Sequence, residues 1–341
     1  MSTSRILRVT GLVAFLAALP LSLALVGGFF GSMHPALDSL SHFRIHFAAA
    51  LILLSPFLLL SPRFRLNGLL AAILGLWAIV NVTGLSFIPG LAPVQASQGA
   101  GVGPVYRLMQ LNLRFNNPEP GKVLSLVGRV RPDVLTLEEV SPMWAEKLKL
   151  LETTYPYRLS CTVEGRAGGV MILSLRPFAE GTEGRCLQGK PFGVASVDFG
   201  GVPVDIAVMH LHWPWPFDQH SQIESFGPEL EALSDTAILA GDLNAAPWSF
   251  ASARVAQLAG MAQLGPLQPT WVWRRAPEWM RFAGLPIDRV FAKGEIVVHS
   301  VQTLEPVGSD HLPVLMEFSP KTPEGEDDPL VTTALALGLA S

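Results

Sequence analysis

Long uncharged runs fill the first quarter of the chain, and short apolar runs ending in polar residues fill the rest. Val9 to Met33 carries no ionisable side chain, and between Arg8 and Arg44 only His34, Asp38 and His42 can ionise. A stretch of that length crosses a bilayer as a helix. A second span is expected from Ile45 to Ser61, short but sufficient with His46 at the interface, and a third from Gly68 to Pro89. A cleaved signal peptide is the competing reading of the first run, but its apolar region is too long and two further spans follow. Residues 1–90 are therefore expected to form a three-helix membrane anchor. Arg5, Arg8, Arg63 and Arg65 would lie on one side of it and Arg44 alone on the other. The positive-inside rule then places the N-terminus in the cytoplasm and everything after Pro89 outside, as a multi-pass protein of the cell (inner) membrane.

Residues 91–104 (LAPVQASQGAGVGP) are uncharged and rich in Gly, Ala, Pro, Ser and Gln, which reads as a flexible linker. Residues 105–320 are enough for one sizeable domain, and residues 321–341 read as a disordered tail. Within the domain, Arg107 to Leu113 alternates as a strand does, and Val134 to Leu137 is a short buried strand ending at Glu138 and Glu139. Further strands are expected at Gly168 to Ser174, Gly193 to Phe199, Val202 to Met209, Ala237 to Ala240, Ile287 to Phe291, Ile296 to Thr303 and Val314 to Phe318. Helical spacing marks Val123 to Val130, Trp144 to Leu151 and Gln222 to Leu233. Strands outnumber helices and most neighbours read as antiparallel, so the class is α+β.

The 341 residues are 49% hydrophobic and only 15% charged, an excess of apolar residues concentrated at the N-terminal end. From Tyr106 to Pro320 there are 18 Lys and Arg against 23 Asp and Glu, a balance of −5. That weighs against a dedicated sequence-independent nucleic-acid binder, which needs a basic face. Cys161 and Cys186 could pair in an oxidising compartment or remain two small buried thiols.

Asn112, Glu139, His210, Asp242, Asn244, Asp288, Asp310 and His311 all fall at or beside the end of an expected strand. Loops on a rigid sheet present catalytic groups at such places. Asp242 and Asn244 alternate about Leu243, so both face one way and could position a water and a substrate oxygen. Gly-Asp-Leu-Asn is equally a turn sequence. In Asp310-His311 one residue could ligate or orient while the other moves a proton near neutral pH; the alternative is a cap with an incidental histidine. Asp288 could fix a histidine in one tautomer or form a surface ion pair with Arg289. His210-Leu211-His212 could supply two metal ligands. The surrounding carboxylate and amide oxygens suit magnesium or manganese better than zinc, which leaves His210 as a donor to a phosphoryl oxygen. The segment Trp213-Pro214-Trp215-Pro216-Phe217 could stack bases, dip into a membrane interface or pack as ordinary loop.

Together these islands resemble the endonuclease/exonuclease/phosphatase family of magnesium-dependent phosphoesterases. Asn112 matches its first-strand asparagine, and Pro132 to Val140 resembles the motif whose glutamate, here Glu139, binds the metal. Gly169 to Pro177 resembles its Gly-x-x-Ile-Leu-Ser segment. His210-Leu211, Gly241-Asp242-Leu243-Asn244, Ile287-Asp288-Arg289-Val290 and Ser309-Asp310-His311-Leu312-Pro313 follow in the family's order. Glu138 stands where many members carry glutamine, which would add negative charge beside the metal. Leu175 stands where an arginine often follows, with Arg176 adjacent.

The resemblance implies a four-layer α/β sandwich, two packed β-sheets flanked by helices. It also implies that Glu139, Asp310 and Asn112 hold a Mg (or Mn) ion. Asp242 would orient or deprotonate water, Asn244 would hold it in line, and His311, supported by Asp288, and His210 would stabilise the phosphorus centre. The expected protein is a membrane-anchored phosphoesterase whose partners are the lipid bilayer and a phosphate-ester substrate, a nucleic acid or a phospholipid headgroup; no protein partner is implied. A non-catalytic tethered binding or scaffolding domain is the alternative, against which stands a complete polar set. The spans lack the interior charges of a transporter.

Overall fold

The computed structural model describes residues 3–84, 103–265 and 267–321. The end of the third expected span, nearly all of the linker and nearly all of the tail lie outside these residues.

Four helices form the N-terminal unit: α1 (Thr3–Gly27), extended by a 3-10 turn to Phe30, α2 (Pro35–Ser41), α3 (Arg44–Leu59) and α4 (Arg65–Thr83). The helical stretch Arg5–Phe30 and α4 are each long and apolar enough to cross a membrane. A third span requires α2 and α3 to count as one, and they are bent by 60°. The 16 residues of α3 rise only about 24 Å at ~1.5 Å each, a little under the ~30 Å hydrocarbon core. Small residues let the helices approach closely, as membrane helices require. A Cβ at Gly75 of α4 would lie 2.8 Å from the Ala48 carbonyl of α3. The sequence did not point to α2. It starts at His34, whose Nδ1 accepts from Ala36 N at 3.1 Å, with Pro35 in the first turn.

The catalytic-size unit runs β1 (Tyr106–Asn112), α5 (Pro120–Val130), β2 (Val134–Val140), α6 (Pro142–Leu148), β3 (Tyr157–Cys161), β4 (Gly169–Ser174), β5 (Arg185–Cys186), β6 (Phe192–Asp198) and β7 (Pro203–His210). It continues with α7 (Gln219–Glu231), β8 (Ala237–Asp242), α8 (Phe250–Ala259), β9 (Ala262–Leu264), β10 (Asp288–Lys293), β11 (Ile296–Thr303) and β12 (Val314–Pro320). Two six-stranded sheets result, ordered β11-β12-β1-β2-β4-β3 and β5-β6-β7-β8-β10-β9. Both are mixed, with β1–β2 and β7–β8 parallel and the other pairs antiparallel.

Each sheet is buried on both faces, which is why its central strands are nearly continuous apolar runs. Leu108, Val134 and Ile172 meet Ile206, Ile238 and Val290 between the sheets. Met109, Leu137, Leu126 and Trp144 pack the outer face of the first sheet under α5 and α6. Met209, Leu239, Phe226 and Val255 do the same for the second under α7 and α8. The result is the expected four-layer sandwich. The strands β3, β5 and β9 and the helix α8 were not anticipated. The first three are short or half-exposed edge segments, and α8 is alanine-rich with a weak apolar stripe. Cys161 of β3 and Cys186 of β5 form a disulfide, which settles the choice between bridge and free thiols.

Candidate active site

Side chains alternate along a strand, so each strand sends one row of residues into the space between the sheets. At one end of the sandwich these rows change from apolar to polar. Leu108 leads to Gln110 and Asn112, Val134 to Thr136 and Glu138, Ile238 and Ala240 to Asp242, Val208 to His210, and Val290 back to Asp288. Register then aligns them. Asn112 pairs with Glu138, His210 with Asp242, and Asp288 with Asp242 across the strand ladders. Gly241 is required for this: a Cβ there would overlap the Met209 carbonyl of β7.

Two non-glycine residues with positive φ complete the arrangement. By alternation Glu139 would face outward, as Leu137 does, but β2 is irregular between Leu137 and Val140 and Glu139 has φ of 56°. Its carboxylate thereby turns into the cleft, where Oε1 accepts from Asn112 Nδ2 (3.2 Å) and Oε2 from Phe115 N (2.8 Å). Asn244, at φ 47°, closes an Asx turn in which its N–H donates to Asp242 Oδ1 at 2.8 Å. Such conformations persist where surrounding structure enforces them, and they concentrate at functional sites.

Glu139, His210, Asp242, Asn244, Asp310 and His311 line a single cleft of about 480 Å³, with Trp213, Phe217 and Trp271 on its wall. Asp288 lies just beneath, with Oδ2 at 2.9 Å and Oδ1 at 3.1 Å from His311 Nδ1. His311 Nε2 points to Asp242 Oδ2 at 3.7 Å, and His210 Nε2 approaches the same oxygen at 3.5 Å. Asn112 donates from Nδ2 to Asp242 at 2.9 Å as well as to Glu139, while its Oδ1 accepts from Arg114 N. Its amide nitrogen thus bridges the two carboxylates, and its oxygen, expected as a metal ligand, is turned to the Arg114 backbone. The eight expected residues come together. His212, which sequence offered as a second metal ligand beside His210, sits on the rim and pairs with Asp218 at 2.6 Å.

Burial and neighbouring charge divide the labour among these groups. Burial, reinforced by Asp288 and opposed by His311, raises Asp242 to about 6. Burial also disfavours an imidazolium at His311, but Asp288 and Asp242 overcome it and push the group up to about 10. Asp288, despite burial, is held below its ordinary value by His311, Thr270 and Gln110. At neutral pH the site therefore contains a buried His311–Asp288 ion pair beside an aspartate close to its titration point. Burial together with Asp288 lifts Glu138 well above the carboxylate range. The same burial disfavours the negative charge expected from Glu138. Arg176 is also out of reach of the site, tied to Asp133 at 3.0 Å and stacked on Tyr106.

Sequence reasoning passed over Gln110, Thr270 and Ser309 as individual contributors. Gln110 donates to Glu138 (2.8 Å) and Asp288 (3.0 Å). Thr270 Oγ1 accepts from Ile287 N and Asp288 N, both at 3.1 Å. Ser309 donates to the Asn112 carbonyl and accepts from His311 N. The ion pair expected between Asp288 and Arg289 as an alternative does not describe the site, because Asp288 faces His311 and Arg289 reaches the Leu264 carbonyl.

Acidic side chains crowd the cleft, and two of them cluster with a histidine as cation ligands could. Asp242, Asp288 and His311 bring ligand atoms within 4.8 Å of one another, a candidate metal site by geometry. Asp288, however, already accepts from His311 and Gln110. Glu139 and Asp310 both line the cleft wall, and Asn244 Oδ1 is buried there without a hydrogen-bond partner among the described residues. Hard oxygen donors of this kind fit magnesium or manganese.

A family model described as the Endonuclease/Exonuclease/phosphatase family matches residues 109–311. The chain belongs to that family. Solved structures with the family's fold include humanized D. rerio TDP2 carrying 14 mutations, at TM-score 0.51 and 18% identity, covering 63% of this chain and 99% of that one. An endonuclease/exonuclease/phosphatase from Beutenbergia cavernae DSM 12333 aligns at TM-score 0.51 and 19% identity, over 64% of this chain and 72% of that one. The human Nocturnin catalytic domain with bound sulfate aligns at 0.50 and 18%, over 65% and 96%. No curated protein matches in sequence. The family match begins after the N-terminal helices, which are an addition to the fold.

Proposed function

We propose that this family member is a metal-dependent phosphoesterase, held in the membrane by its N-terminal helices, that hydrolyses a phosphodiester (or phosphomonoester) bond with activated water. The observation that carries this reading is the convergence of Glu139, Asp242, Asn244, Asp310 and His311 in one cleft, with Asp288 behind His311. Glu139 and Asp310 would hold Mg (or Mn), with Asn112 set between Glu139 and Asp242. The ion supplies charge neutralisation at the phosphoryl oxygens. Asp242, raised to about 6, is suited to accept a proton from water near neutral pH. The turn that Asn244 closes on Asp242 fixes where that water sits. His311 in its imidazolium form, and His210 beside it, donate to oxygens that gain charge in the transition state.

The same reading places the catalytic domain on the extracytoplasmic side. The basic residues Arg5, Arg8, Arg63 and Arg65 favour it, and so does the Cys161–Cys186 disulfide, a bond that persists in oxidising compartments. The test is hydrolysis of bis(p-nitrophenyl) phosphate by the full chain with Mg²⁺ or Mn²⁺. Asp242→Ala and His311→Ala should each lower turnover by about 10²–10³ with an unchanged circular dichroism spectrum. Wild-type turnover by either variant would refute the reading.

A further inference from the structure

The outer end of the helical unit grips the catalytic domain through buried polar contacts. Asp38 of α2 is almost fully buried, and its two carboxylate oxygens accept from Phe250 N (2.7 Å) and Ala251 N (2.9 Å) at the start of α8. A carboxylate there satisfies amides that the helix cannot and complements its dipole. Trp248 Nε1 donates to the Ser41 carbonyl at 2.7 Å, and Arg44 bridges the carbonyls of Trp248 (3.1 Å) and Gly28 (2.6 Å) over the Phe29 ring. Two further bonds reach the cleft's own loops. Ser39 Oγ donates to the Trp215 carbonyl at 3.1 Å, and His46 Nε2 donates to the Ala283 carbonyl at 2.9 Å.

Those same loops carry the domain's exposed aromatic surface. Among the described residues beyond 104, nine large hydrophobic side chains are exposed, and six of them are Trp213, Trp215, Phe217, Trp273, Trp279 and Phe282. Trp279 and Phe282 are 72% and 74% exposed. Arg274, Arg275 and Arg281 lie among them in the chain. His46 is in the first turn of α3, so Phe282, next to Ala283, lies close to the level at which the apolar helices begin. Trp213 and Phe217 continue this surface into the wall of the cleft.

We infer that α2 and the start of α3 clamp the catalytic domain so that this aromatic rim rests in the headgroup layer of the bilayer. The cleft then draws its substrate from the same membrane, as the phosphoester of a phospholipid headgroup. The inference rests on the phosphoesterase reading for its chemistry, but the clamp and rim stand on their own contacts. Indole and phenyl rings favour the membrane–water interface, and interleaved arginines suit anionic lipid.

The experiment uses the full chain in phosphatidylcholine bilayer discs containing phosphatidylglycerol. Docking is read without catalysis, as quenching of tryptophan fluorescence by lipids brominated near the glycerol backbone, in a Trp77→Phe background. Trp279→Phe should remove a measurable share of the shallow quenching, and Asp38→Ala should lower it. Headgroup release is then compared with hydrolysis of bis(p-nitrophenyl) phosphate. The rim double variant Trp279→Ser/Phe282→Ser, which touches no packed core, should lose about tenfold or more on lipid while the soluble ester changes by about twofold or less. Asp38→Asn, which keeps one acceptor, should fall between wild type and Asp38→Ala. Absence of shallow quenching, equal loss on both substrates, or cleavage of single-stranded DNA or RNA in place of lipid overturns the inference. Failure of wild type on the soluble ester as well overturns the phosphoesterase reading itself, so the two failures are distinguishable.

Discussion

Replacing Asp288 by Asn tests the proton arrangement at its root. The substitution keeps the shape of the side chain, and the Asp288 N–H remains held by Thr270. What disappears is the charge 2.9 Å from His311 Nδ1. With that partner gone, burial acts on His311 opposed by Asp242 and, less strongly, by Asp310, and a group now near 10 should fall to about 6.5 or below. At pH 8 the imidazolium fraction then falls from nearly complete to about 3%, a loss of about 30-fold from protonation alone. Misorientation of the ring adds to this, bringing the total to about 10²–10³, the usual effect of removing one transition-state donor.

The assay is kcat/KM on bis(p-nitrophenyl) phosphate from pH 5 to 10 with saturating Mn²⁺. Wild type should rise through about 6, as Asp242 loses its proton, and fall through about 10, as His311 does. In the variant the falling limb should move to about 6.5 or below, so the deficit grows with pH. Because Asp288 is proposed to act through His311, the double variant with His311→Ala should be no slower than His311→Ala alone. A deficit independent of pH, or multiplicative losses in the double variant, would refute the reasoning.

Other substitutions probe separate parts of the structure. Glu138→Gln should leave kcat/KM within about threefold, because burial and Asp288 already disfavour the charge it removes; a loss near 10²-fold would mean Glu138 is ionised or bound to the cation. His311 gains its proton more readily folded than unfolded, so its contribution to stability is complete below about 6.5 and disappears as pH rises through about 10. Denaturant titrations of wild type should show that alkaline decline, and Asp288→Asn should not. Trp144→Ala should lower stability by about 3–5 kcal/mol, since the indole is fully buried and its Nε1 donates to the Arg114 carbonyl. Cys186→Ser opens a loop closed over 25 residues, which should cost roughly 3 kcal/mol in thermal or urea unfolding.

Much of the sandwich was legible because its central strands are two-sided and therefore read as unbroken apolar runs. The strand Ile296–Thr303 has the bounds its sequence suggested. Edge strand β3 was missed because its residues are half exposed and break the apolar signal. Asn112, His210, Asp242 and Asp288 were legible because each terminates an apolar row, which no surface residue need do. Gln110 was not, since in Arg107-Leu-Met-Gln-Leu-Asn112 it looks like the solvent half of an alternation; only a second sheet stacked on that face makes it buried. Asp38 looked like a stray charge between two spans. The α8 amides it caps are more than 200 residues away, and no local pattern encodes them.

Because Asn112, His210, Asp242 and Asp288 sit at the ends of inward-facing rows, the site doubles as a gauge of strand alignment. A slip of one residue in β8 would offer Gly241 or Leu243 where Asp242 belongs, and a slip in β1 would offer Leu111 or Leu113 in place of Asn112. Misaligned molecules would therefore carry no partial function. A preparation's specific activity, divided by its maximum, counts the fraction of chains whose two sheets have locked into the native ladder.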